Sequence, residues 1–442
     1  MAASYLPYEP KQQLLVPPAL QEWLPEGHLA YYIGDTVDTL ELSAFDARYE
    51  KGGPRNQPFN PAMMVKVLIY AYATGVFSSR KIARRLHEDV AFRVLAAGNF
   101  PAHRTISDFR ALHLKELSAL FVQVVKLARE CGLVKLGTIA VDGTKIKANA
   151  SRHKAMSYQR MQQAEVQTKQ LIAELLQRAQ RADEAERDEP DTDLPEQLKR
   201  QQDRLATILA AKARLEQRQR EADAARGRAP DDQRKARNAE GQATGARFKR
   251  DFGVPDPQAQ DSFTDPDSRI MKNGSGGFDY SYNAHAAVDE TAKLVVAAEL
   301  TNNASDADRL PMMLDAVKAN CGTDAACVVA DAGFRSEAVF AALAEGGTEV
   351  IVSLGREGKA VAKLDGDRAP HTAAMAAKLQ TEPARAAYRK RKWLSEPPHG
   401  WIKNVLGFRQ FSLRGIDKAR AEWKLVCMAL NLRRMGAMLA CN

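Results

Sequence analysis

The stretch LGTIAVDGTKIKANAS, residues 136–151, is where the chain changes its periodicity. Before it, from about Leu15 to Val134, apolar residues recur at helical spacing. Within it they run consecutively, as in a strand, up to Asp142 and resume past Gly143. Strand signals do not return until GGFDYSYNAHAAVDE (276–290) and KLVVAAELTNN (293–303), which the turn-like DETA joins as a hairpin. Helical and strand patterns then alternate: a helix over 306–320, the strand CVVADAG, the helix SEAVFAALAEGG, the strand TEVIVSL, and a last helix from about Ile416 to Leu439. The order β, insertion, β, β, α, β, α, β, α specifies a mixed sheet with helices on its faces.

The insertion has its own composition. From Arg152 to about Ala225 it is Gln, Glu, Lys, Arg and Ala with sparse Leu. Leu171, Ile172, Leu175 and Leu176 form one stripe, and Leu198, Leu205, Ile208, Leu209 and Leu215 another, with a break at DEPDTDLP (188–195). Each stripe is too narrow to be stable alone, so an antiparallel helical hairpin is expected. The polar, aperiodic residues 225–253 predict a mobile linker.

Upstream, Asn60 as cap, Pro61 in the first turn and Gly75 as stop delimit one helix, and FSSRKIARRLHED begins a second, capped by Ser78 or Ser79. A short helix, a tight turn and a short basic helix make a helix-turn-helix-like pair, whose second member would offer Arg80, Lys81, Arg84 and Arg85 to DNA. A longer helix over 105–132 puts Ile106, Phe109, Leu117, Leu120, Phe121, Val124 and Ala128 on one core-facing stripe.

The formal net charge of +9 favours a polyanionic partner. Five cysteines without a C-x-x-C pair or zinc-finger histidines fit a reducing compartment. The N-terminus lacks the apolar run of a signal peptide, and MMVKVLIYAYATGVF is too short to span a bilayer, so a cytoplasmic protein without a membrane partner is expected.

Asp142 and Asp331 each follow an apolar run, in TIAVDG and VVADAG, before residues that turn the chain. Such an Asp is often only a turn former. Two of them at strand ends, where open α/β sheets place their ligand crevices, can face one site. A third acid, Glu396, stands alone in YRKRKWLSEPPHGWIKNVLGFRQF, among Arg389, Lys390, Arg391, Lys392, Lys403 and Arg409. Ser395 and the two prolines suit a helix start, where an acid is favoured by the dipole. A helix starting there puts Glu396, His399, Gly400 and Lys403 on one face, Lys403 near a phosphate and Gly400 where a backbone can approach. Three converging carboxylates repel unless a cation compensates, and few hard oxygens with room for substrate phosphate suit Mg²⁺ or Mn²⁺. Two ions about 3.5 to 4 Å apart perform phosphodiester chemistry.

These stretches, together with DPDSRIMK, NNASDADRLPMM, FSLRGIDKARAEWKLVCMALNLRRM and FNPAMMVKVLIYAYATGVFSSRKIARRL, resemble bacterial insertion-sequence transposases of the DDE class, in the IS-eleven-eighty-two-like group, over nearly the whole chain. The resemblance implies an α/β fold with an RNase H-like mixed five-stranded sheet, in which Asp142, Asp331 and Glu396 bind the metals. The family's tyrosine, arginine, glutamate, lysine signature falls on Tyr388, Arg391 or Lys392, Glu396 and Lys403, with Arg409 and Arg414 as further DNA contacts. Relatives usually carry an aromatic at His399 and an apolar residue at Ser395. The expected organisation is an all-α DNA-binding domain over 1–134, the first core strand over 135–151, the helical hairpin and linker over 152–250, and the rest of the core over 260–442. The partners implied are double-stranded DNA, as terminal inverted repeats and target, and a second copy of the chain in a homodimer on that DNA, near the bacterial nucleoid.

Two other functions fit parts of the pattern. A non-catalytic DNA-binding regulator has no use for three acids at sheet ends, and would bind without metal dependence. A metal-dependent nuclease needs the same core and differs only in lacking strand joining.

Overall fold

The computed structural model describes residues 19–47, 49, 58–184, 194–232, 234–237, 243–274, 276–355 and 366–440. The predicted breaker at 188–195 falls mostly outside these residues, as do the start of the first helical segment and Cys441.

Six strands form the main sheet: β1 (Thr138–Lys147), β2 (Arg269–Lys272), β3 (Phe278–Asp289), β4 (Val295–Thr301), β5 (Cys327–Ala330) and β6 (Glu349–Val352). β1 is central, antiparallel to β3 on one side and parallel to β5 on the other, and β6 extends the parallel side. β4 and β2 share the far side of β3, opposite residues 283–288 and 278–281 respectively. The sequence reading gave five strands. It missed β2, whose four residues bury only Met271 and so carry almost no pattern. β1 also differs from expectation, because it runs through Asp142 and Gly143 without a turn.

Side chains alternate across a strand, and the two faces of this sheet bury different things. Ile139, Val141, Val328, Ala330, Val350 and Val352 point into the main core. Ala140, Cys327, Val329 and Ile351 point the other way, onto Ala384 and Leu394.

The main core continues into the N-terminal helices α1 (Leu29–Thr39), α2 (Pro61–Ala73), α3 (Ser79–Glu88), α4 (His103–Leu112) and α5 (Leu114–Glu130). Asn60 caps α2, accepting from Met63 N at 3.1 Å, with Pro61 in its first turn. The single long helix expected over 105–132 is broken at His113, whose ring hydrogen-bonds Tyr49 Oη at 3.1 Å and packs against Phe45 and Phe109. Gly75 follows α2 at φ +77°, and a Cβ there would stand 2.6 Å from the Leu406 carbonyl oxygen. Gly75→Ala is therefore expected to cost about 1–3 kcal/mol, read as a lower urea midpoint at unchanged slope.

Between β1 and the rest of the sheet come α6 (Tyr158–Glu184) and α7 (Leu194–Ala225), packed along each other. Leu175, Ile208 and Leu215 of the two stripes are buried with Met161, Ala164 and Ala211, whereas Leu171, Leu176 and Leu209 remain exposed. Buried Asp261 receives Arg214 at 2.7 Å and also pairs with Arg218, fixing α7 to the short strand Gln260–Ser262. The predicted mobile linker is instead structured over its described part. Arg234–Arg237 and Ala243–Arg247 pair as an antiparallel hairpin. The Arg228 guanidinium lies 3.9 Å over the Phe248 ring and 3.6 Å from Asp223, a cation–π and ionic anchor that polarity alone does not announce.

The C-terminal half adds α8 (Leu310–Cys321), α9 (Glu337–Leu343), α10 (Pro370–Lys378), α11 (Glu382–Arg389), α12 (Arg391–Gly400) and α13 (Ile416–Ala440). α13 lies between β4 and the N-terminal helices α2 and α5, with Trp423 wholly buried.

Candidate active site

β1 and β5 pair in register as far as Val141 and Ala330, so Asp142 and Asp331 stand side by side one residue further on. Adjacent strands are about 4.8 Å apart, and alternation directs Asp142 to the face that α11 and α12 cover. Gly143 N donates to Asp142 Oδ1 at 2.8 Å and Gly333 N to Asp331 Oδ1 at 2.9 Å, the second bond capping the turn Ala332–Phe334. Burial pushes the Asp142 carboxyl above the usual carboxylate range, against the pull of the Gly143 N–H, Arg391 and Ser395. Asp331 is raised by burial and then by the charge of Asp142. Each is thus a carboxylate short of a compensating cation.

α12 carries the third candidate acid, and begins at Arg391 rather than near Ser395. Pro397 and Pro398 lie inside it, and a wider π turn, Trp401–Val405, follows. Packing of Leu394 onto Ala140, Val329 and Ile351 sets the face that meets the sheet. Leu394, Ser395, Pro398 and His399 are buried, whereas Glu396 is exposed. Glu396 therefore lies one residue from a side chain that acts on Asp142, and projects to solvent. Among the described residues no three His, Cys, Asp or Glu side chains are gathered closely enough to enclose an ion. The sequence-predicted trio is present as an adjacent pair, with its third member exposed on α12.

The predicted shared face of Glu396, His399, Gly400 and Lys403 is divided in the same way. His399 is stacked 6.3 Å from the Trp423 ring, and burial brings its imidazole down to about 4. Gly400 meets no close backbone, since a Cβ there would have nothing within 4 Å. Lys403 is half-buried and donates Nζ to the Lys145 carbonyl at 3.0 Å, so it rests on β1 itself. Burial, then the charge of Arg409, lowers its pKa, and Asp142 opposes that shift.

The other sequence-predicted DNA contacts fall into two groups. Tyr388 packs beneath α12, and the Arg391 guanidinium sits 5.8 Å over its ring while reaching both aspartates electrostatically. Lys392 is exposed beside it. Arg409 and Arg414 are exposed, held to the Lys403 and Asn149 carbonyls at 3.0 and 3.1 Å. On α3, Arg80, Lys81, Arg84 and Arg85 all face solvent because Ile82 and Leu86 take the buried side. Arg84 and Arg85 pair with Glu88 and Asp89 at 3.4 and 3.6 Å. A cleft of about 580 Å³ lies between these groups, lined by Ser78, Ser79, Lys81, Arg110, Asn149 and Gln410.

One residue of this region escaped the sequence reading. Asp306, from the loop between β4 and α8, acts electrostatically on both Asp142 and Asp331. No motif marks it beyond its place in NNASDADRLPMM, where it reads as a helix-start residue.

With this geometry in view, the comparisons identify the class. Residues 243–432 match the family described as the transposase DDE domain, and residues 18–112 match a family described as a transposase domain. The chain is a DDE-type insertion-sequence transposase, a phosphodiester-cleaving and strand-transferring enzyme of a family that binds DNA and uses divalent metals. Its mixed sheet, flanked by helices, is the RNase H-like core of that family. The DDE match begins downstream of β1, so Asp142 lies between the two matched segments and Asp331 and Glu396 inside the second. No curated protein and no solved structure matches the chain. Among the described residues no helix is long and apolar enough to cross a membrane.

Proposed function

We propose that Asp142, Asp331 and Glu396 are the catalytic acids of this transposase, and that its group within the family is the IS-eleven-eighty-two-like one. The observation that carries the assignment is the in-register placement of Asp142 beside Asp331, both with carboxyls raised by burial, under the helix that bears Glu396. Half-buried hard oxygens whose charge Arg391 offsets only in part fit Mg²⁺ or Mn²⁺: Asp142 and Asp331 would hold two ions, with Glu396 turning in from α12. When bound, the ions supply an activated water or 3′ hydroxyl and stabilise the departing oxygen.

The chain's own residues do the rest. Gly143 N–H and Gly333 N–H hold the two carboxylates in place, and Arg391 and Lys403 offset their charge toward an approaching phosphate. Arg409, Arg414 and Lys81 continue the cationic path past the cleft to α3, with Tyr388, Lys392, Arg80, Arg84 and Arg85 flanking it. The substrate is the element's terminal inverted repeats and then target DNA. A homodimer brings the two ends together, near the nucleoid in the cytoplasm.

Purified protein with Mg²⁺ and a plasmid carrying the element's ends is expected to nick at the element boundary and join the freed 3′ end to target. Nicking without joining would reduce the protein to a nuclease. Replacing Lys81 and Arg80 by Ala should weaken end binding and lower the salt slope by about one unit for each phosphate no longer neutralised. An unchanged slope would remove α3 from the DNA path.

A further inference from the structure

Asp306 is the best-anchored carboxylate near the pair. His285 Nε2 faces its Oδ1 at 2.9 Å, and because a carboxylate only accepts, that nitrogen carries the proton. Asn283 Nδ2 donates to the same oxygen at 2.5 Å, and Lys145 Nζ stands 3.4 Å from both oxygens. His285 and Asn283 are neighbours on β3, paired opposite Gly143 and Lys145 of β1, so one patch of the sheet supplies all three partners. Burial works against the Asp306 charge, but the bonds from His285 and Asn283 and the charge of Lys145 outweigh it and hold the carboxyl at about 2.

The space this carboxylate fills is made by two glycines. A Cβ on Gly143 would stand 2.8 Å from Asp306 Oδ1, and one on Gly333 would stand 3.3 Å from Oδ2. Gly143 directly follows Asp142, and Gly333 lies two residues past Asp331. Those are also the residues whose N–H groups hold the two catalytic carboxylates. Neither glycine has a positive φ, so close approach, not backbone freedom, explains them.

We propose that Asp306 is a positioning residue of the active site: pinned by His285, Asn283 and Lys145, its carboxylate wedges between the Gly143 and Gly333 backbones and sets the separation of Asp142 and Asp331. It acts from behind, through the two backbone N–H groups. This rests on the reading of Asp142 and Asp331 as catalytic, and the experiment separates the two claims.

Full-length Asp306→Ala, Asp306→Asn and Asp142→Asn are compared with the parent on plasmid DNA carrying the element's ends. kcat, KM, DNA binding in EDTA and the thermal shift produced by Mn²⁺ alone are measured. Asp306→Ala is expected to lose about 10- to 100-fold in kcat, as supporting residues of a metal site do, with KM and EDTA-stage binding unchanged. Its half-point for Mn²⁺ stabilisation should move about 10-fold higher. Asp306→Asn keeps the volume and the hydrogen bonds from His285 and Asn283, giving up only the charge pairing with Lys145, and should recover most of the loss. Parental kcat and Mn²⁺ half-point in Asp306→Ala, or an Asn variant as impaired as the Ala one, overturns the proposal. Asp306→Ser, with the same expected loss, replaces Asp306→Ala if that variant does not fold. Retained cleavage in Asp142→Asn would instead overturn the catalytic reading beneath it.

Discussion

Asp142→Asn is expected to abolish cleavage, by roughly 10³-fold or more, while making the metal-free protein more stable. Asp142 and Asp331 are adjacent acids whose folded-state pKa values are raised, first by burial and for Asp331 next by the charge of Asp142. A raised carboxyl binds its proton more tightly folded than unfolded. Its contribution is therefore favourable at acid pH and is lost as pH rises from the ordinary carboxylate range through the raised value. At neutral pH the ionised pair is a standing repulsion. The amide keeps the shape and removes the charge, so Tm without metal should rise by roughly 2–4 °C for each kcal/mol relieved. Near pH 4 the gain should shrink, because the parent is then partly protonated. Saturating Mg²⁺ should reverse the order, since only the parent keeps both acidic ligands. Melting curves at both pH values, with and without Mg²⁺, test each step. A variant that melts at or below the parent without metal would mean that the repulsion is not there.

That pair was legible in the sequence because both acids close apolar runs on strands that turn out to be neighbours. The alternating βα pattern gave five of the six strands, and caps such as Asn60 with Pro61 gave helix starts within a residue. What escaped depended on three-dimensional partners. Gly143 read as a turn residue, since the sequence has no means of showing that Asp306, far along the chain, occupies the place of its side chain. Ser395 read as a helix cap because serine before two prolines suits an N-terminus. Packing of Leu394 under the sheet favours an earlier start, which leaves Pro397 and Pro398 inside the helix, ahead of the wider turn at Trp401–Val405. The basic segment 225–253 read as a linker because its anchors, Arg228 on Phe248 and Asp223, are isolated pairings with no periodicity.

Glu422→Ala is expected to destabilise the protein by about 3–5 kcal/mol, the usual penalty for removing one side of a buried ion pair. The Glu422 side chain has no exposed surface, and it joins segments far apart in sequence. Its Oε1 accepts from Tyr72 Oη of α2 at 2.7 Å and lies 3.8 Å from Arg110 Nη1 of α4. Its Oε2 accepts from Ser412 N and Leu413 N at 2.9 and 3.1 Å. Arg110 in turn donates to Tyr72 Oη at 2.7 Å and to the Phe77 carbonyl at 2.9 Å, so removal of Glu422 strands a guanidinium that is 4% exposed. Burial, then the Glu422 charge, pushes the Tyr72 hydroxyl well above its ordinary range, so it serves as a donor at any working pH. Arg110→Met combined with Glu422→Leu should recover only the part of the loss that the stranded guanidinium causes, because Tyr72 Oη and the Ser412 and Leu413 N–H groups still lack their acceptor. Urea unfolding of the two single variants and the double variant measures this directly, and a Glu422→Ala loss below about 1 kcal/mol would show the cluster to be solvated. The same cluster fixes the turn at Ser412 and Leu413 beside Arg414, and α4 beneath the start of α3 through Arg110 and Ser79 at 3.4 Å. Glu422→Ala should therefore weaken DNA end binding even below its melting temperature, whereas the apolar double variant, which restores packing but not that hydrogen bonding, should recover stability ahead of affinity.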